Sequence, residues 1–79
     1  MVTVHRAFGF RFAIFSNDHE PAHIHVFGKG GEVKIDLAQP GSVELVWTVA
    51  VSRSDVRKIL QEAEAKREDF LQAWRCIHG

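Results

Sequence analysis

Three of the chain's five histidines fall in the short run Asn17-Asp18-His19-Glu20-Pro21-Ala22-His23-Ile24-His25-Val26, beside an aspartate. Imidazole changes charge near neutral pH and ligates transition metals through a neutral nitrogen. Three readings of this run follow. In the first, His23 and His25 act by turns as base and acid, and Asp18 fixes one imidazole's tautomer. A phosphodiester suits such a pair, since transfer to a neighbouring 2′-hydroxyl needs two proton transfers and a cation for the phosphate. Arg11, Lys29 or Lys34 supplies that cation, with Arg11 and Lys34 the preferred phosphate-binding residues. In the second reading, Asp18, His23 and His25 bind one metal ion, with His19 an alternative third ligand and one position left open for catalysis. It ranks below acid–base chemistry, because no CxxC pair, HExxH helix or carboxylate cluster accompanies the run. In the third, an Asp-His turn followed by Pro merely caps the start of a strand, and the histidines are polar residues on a solvated face. The density of imidazoles favours function, with Asp18, His19, His23 and His25 as the candidate catalytic set and no cofactor required.

These residues need a scaffold that aims them. Phe8 to Phe15 alternates as a strand, with Phe8, Phe10, Phe12 and Ile14 on one face and Arg11 on the other. Ser16-Asn17-Asp18 is a turn composition, and Pro21 keeps Glu20 extended. His23 to Phe27 is a second strand, Gly28-Lys29-Gly30-Gly31 a hairpin connection, and Glu32 to Leu37 a third strand. Val43 to Val51 is a fourth strand, whose parity places Trp47 in the core beside Val43, Leu45 and Val49.

From Ser52 onward the period becomes helical. Ser52 and Asp55 fit a capping box, and Val56, Ile59, Leu60, Ala63, Phe70, Leu71, Trp74 and Ile77 form one apolar stripe interrupted by Arg67. A straight helix from Ser54 to Ile77 would be about 36 Å long, against roughly 30 Å for a compact domain of this size. It must bend around Ala65 to Arg67 or project toward a partner. The architecture expected is therefore α+β: a small antiparallel sheet of three to four strands with one face covered by a long C-terminal helix. That helix covers Phe10, Ile24, Val26, Val33 and Ile35, so Arg11, His23, His25, Glu32 and Lys34 face the other way, a parity that a one-residue slip would invert.

Composition narrows the class further. At 79 residues the chain is a single domain over 1–79, burying only about 60% of its unfolded surface. A hydrophobic content of 46%, with six Phe and two Trp, supports a packed core rather than disorder. Zero formal net charge excludes a strongly basic nucleic-acid footprint, though not a local patch. The lone Cys76 rules out an internal disulfide and is incidental. With no apolar stretch near the ~20 residues of a membrane span, and no signal-peptide pattern, the expected localisation is cytoplasmic. The helix charges are balanced, and Phe27 and Val46, facing outward, suggest contact with another chain.

The histidine run resembles the signature of a bacterial family, domain of unknown function 4160. The likeness extends through Phe8-Gly9-Phe10, Val33-Lys34-Ile35-Asp36 and Phe70-Leu71-Gln72-Ala73-Trp74. The family often has a second Pro where this chain has Ala22 and an aromatic where it has Ile24. The resemblance implies a small cytoplasmic protein encoded beside another small protein, in the manner of a toxin–antitoxin pair. This chain would be the toxin of a type II module, with Asp18, His19, His23 and His25 as motif residues. Its partner would be a small cognate antitoxin-like protein, and its target RNA or another phosphate-bearing molecule. The alternatives are a non-enzymatic binding or regulatory module, antitoxin-like in kind, and a metal-binding protein.

Overall fold

The computed structural model describes residues 1–79. Five strands run in chain order as an antiparallel meander: β1 Val2–Ala7, β2 Phe10–Ile14, β3 His23–Gly28, β4 Gly31–Asp36 and β5 Glu44–Val49. Two helices follow, α1 Arg53–Ala65 and α2 Arg67–His78. The class is α+β, with one strand more than the sequence pattern suggested and the C-terminal helix divided at Lys66. No helix is long and apolar enough to cross a membrane.

The additional strand arises at Phe8-Gly9. Both residues have positive φ, 58° and 80°, the backbone that a two-residue hairpin turn demands. The chain therefore reverses where apolar alternation alone reads straight through. Phe8 is left 47% exposed instead of in the core. Lys29 and Gly30, at 51° and 79°, make the matching turn between β3 and β4. A second correction falls on Trp47. Lys34 pairs with Trp47 but Ile35 pairs with Leu45, so Val46 is an extra residue in β5. That bulge flips the parity of Trp47, which lies 38% exposed on the side away from the core.

The helical stripe behaves as its length requires. Ser52 caps α1 by accepting a 3.1 Å hydrogen bond from Asp55 N. Lys66, with φ −103° and ψ 11°, breaks the helix between Ala65 and Arg67. The molecule measures 33 × 25 × 19 Å, too short for the unbent rod. Broken at Lys66, the helical segment seals one sheet face. Phe10, Phe12, Ile14, Ile24, Val26, Val33 and Ile35 pack there against Ile59, Ala63, Phe70 and Trp74. β5, the edge strand that leads into α1, is exposed along its whole length.

Candidate functional site

The register lays the uncovered face out in rows. Arg6, Arg11, Phe27, Glu32 and Val49 are successive cross-strand partners in one row. Thr3, Ala13, His25, Lys34 and Trp47 form the next, and His23, Asp36 and Glu44 a third. The parity that turns His23 and His25 away from the helix-covered core therefore holds. Their solvation does not follow from it: His23 is 7% exposed and His25 8%.

Other side chains bury them. The His25 ring stacks on Phe15 at 4.6 Å and lies beside Phe27 and Trp47, each at 6.2 Å. Ala13, directly opposite in β2, leaves room for that ring. His23 packs against Trp74 of α2, ring centroids 5.1 Å apart. Trp74 in turn donates its indole N–H to Glu20, 3.1 Å away, and stacks on His78 at 3.8 Å. The two ring nitrogens of His78 face the carbonyls of Trp74 and Phe15, both at 3.1 Å. Carbonyl oxygens only accept, so both contacts form together only when both nitrogens carry hydrogen.

The Ser16–Asp18 turn, closed by a 3.2 Å bond from Asp18 N to Phe15 O, carries the Asp18 carboxylate over the imidazoles. His23 Nδ1 lies 2.8 Å from Pro21 O, which can only accept. Nδ1 of His23 thus carries a hydrogen, and Nε2 faces Asp18 Oδ2, 2.9 Å away, presenting a lone pair in the neutral ring and an N–H donor in the protonated one. His25 repeats the arrangement: Nδ1 donates to Glu32 Oε2 at 3.0 Å, and Nε2 lies 3.4 Å from the same Asp18 oxygen. Two imidazole nitrogens and a carboxylate oxygen converge, an arrangement completed by hydrogens on the nitrogens or by a metal ion among the three.

The spacing suits a metal. The ligand atoms of Asp18, His23 and His25 all lie within 4.8 Å of one another. A tetrahedral ion with bonds of 2.0–2.1 Å separates its ligands by about 3.3 Å. Metal-bound imidazoles typically donate their other N–H to a carbonyl or carboxylate, which here are Pro21 O and Glu32. In an acid–base role the same two Nε2 atoms would exchange the proton, and both face the Asp18 carboxylate.

The remaining candidates are separated. His19 stands outside the cluster and lines an adjacent cleft of about 230 Å³ with Glu20, Pro21, His23, Lys34, Asp36 and Val46. Arg11 lies elsewhere, in a concavity with Arg6, Ala7, Gly9 and Phe10, so it and Lys34 do not share a pocket. Sequence reasoning gave no role to Glu32, whose signal was its diagonal position from His25 across the β3–β4 hairpin.

A family model described as domain of unknown function (DUF4160) matches residues 9–75. No curated protein and no solved structure matches the chain.

Proposed function

The chain belongs to the domain of unknown function 4160 family, and from that premise we propose that it is a metal-dependent protein holding one divalent transition-metal ion through Asp18, His23 and His25. One observation carries the reading: both imidazoles turn Nδ1 to an acceptor, Pro21 O or Glu32, and turn Nε2 to one Asp18 carboxylate oxygen, so the two nitrogens free to ligate an ion converge with a carboxylate. Two nitrogens and one oxygen fit Zn²⁺, Fe²⁺, Co²⁺ or Ni²⁺. Three protein ligands leave a coordination position for water or substrate, where the ion would polarise a phosphoryl oxygen or make bound water nucleophilic at neutral pH. Lys34 and His19, on the cleft that His23 also lines, would hold the anionic part of that substrate. The cellular role we attach to this chemistry is that of a toxin in a bacterial type II toxin–antitoxin module, acting on RNA or another phosphate-bearing target.

The test is metal content and growth inhibition together. Untagged protein should contain about one transition-metal ion per chain, and His23→Ala and His25→Ala variants that stay folded should lose both the metal and the inhibition. No stoichiometric metal after purification, and no tighter than millimolar binding on titration with Zn²⁺, Co²⁺, Ni²⁺ and Fe²⁺, would sink the metal reading. Variants as inhibitory as the parent would sink the catalytic one.

A second reading, a protein-binding module, is favoured by β5. This edge strand exposes Leu45, Val46, Trp47 and Val49, with neither lysine nor proline to discourage a further strand from pairing. It expects a stable complex with the neighbouring gene's product that survives loss of the histidines.

A further inference from the structure

We infer that Arg6 and Arg11 form an oxyanion site for a phosphate group, separate from the histidine cluster and standing whether or not that cluster carries metal. The two residues are direct cross-strand partners, so their side chains rise side by side on the open face. Like charges placed opposite each other destabilise a strand pair. Neither guanidinium makes a salt bridge or a side-chain hydrogen bond that would relieve the repulsion. The one acidic residue in their row, Glu32, is engaged by His25 instead. Arg11 lies 5.9 Å from the Phe27 ring centroid, a contact that steadies the guanidinium and leaves its N–H groups free. Together the arginines line a concavity of about 330 Å³ beside the Phe8-Gly9 turn.

Two planar forks of N–H donors match the oxygens of a phosphate, and a dianion or phosphodiester cancels the repulsion that the empty pair suffers. With zero net charge over the chain, attraction to phosphate falls to local patches such as this one. The arginine row is adjacent to the His25 row, two residues along the strand or about 7 Å. A phosphate held there lies outside the coordination sphere of an ion at Asp18. It would be a neighbouring group of the molecule being processed, or a separate ligand.

Titration of chelator-treated protein with inorganic phosphate and with a short oligoribonucleotide, followed by NMR, separates the sources. Saturable phosphate binding that competes with the oligonucleotide identifies a free phosphoryl group as sufficient. Oligonucleotide binding alone identifies the phosphodiester chain. In either case Arg6→Gln and Arg11→Gln should each weaken binding about tenfold and lower the slope of log affinity against log salt by about one. Arg57→Gln on α1 should change neither. The same two variants should melt a few degrees higher than the parent, because repulsion is relieved. Absence of binding by both probes, or binding that neither variant weakens, overturns the assignment.

Discussion

The two faces of the sheet are buried by different means. On the helix-covered face, Phe10, Phe12, Ile14 and their neighbours are sealed by Ile59, Ala63 and Phe70, apolar group against apolar group. On the open face, His23 and His25 are nearly as inaccessible, yet the cover is a few aromatic rings and each polar atom has a named partner. The first kind of burial is non-directional and tolerates exchange of shape at constant volume. The second depends on individual bonds. Damage to one face should therefore cost stability, and damage to the other should cost ligand affinity while the fold survives.

The largest effect should come from the covered face. Phe12→Ala, at a fully buried position stacked on Phe70, is expected to lose about 3–5 kcal/mol in urea unfolding. That is a large fraction of the stability of a domain this small, and a loss below about 1 kcal/mol would break the contrast. On the open face, Asp18→Asn should weaken Zn²⁺ binding on the order of 100-fold, worth about 2.7 kcal/mol. The melting temperature should hardly move, because an Asn amide can donate to the nitrogen lone pairs the carboxylate faced. Glu32→Gln keeps an acceptor for His25 Nδ1 but removes the charge behind it, so a roughly tenfold loss of metal affinity is expected. Metal affinity should also fall as pH falls, since a proton competes with the ion for Nε2 of each ring. The smallest effect should be Ser52→Ala, which removes the α1 cap for about 1 kcal/mol of stability and leaves metal affinity untouched.

Much of the covered face is legible from residue order, because burial there follows period. Val33, Ile35 and Leu37 alternate, the helical stripe repeats, and helix length against domain size leaves a bend or a projecting end, of which the chain takes the bend, at Lys66. The errors sit where one residue breaks the period. Phe8 adopts left-handed backbone in a turn, and Val46 inserts a bulge that sends Trp47 to the opposite side. The open face is legible only in parity. Burial of His25 depends on Phe15, which lies just beyond β2, and no local pattern aims that ring back over the sheet. The division of labour among the cations was equally hidden. Arg11 and Lys34 share a face, but only the register shows that Arg11 stands beside Arg6 and Lys34 beside His25.

The seat of His78 links the last turn of α2 to the loop that carries Asp18. One ring nitrogen grips Phe15 O, the acceptor that also closes the Asp18 turn, while Trp74 beneath it holds Glu20 at the loop's far side. The C-terminal turn is therefore moored to the loop that carries Asp18, and its removal would strip that loop of two anchors.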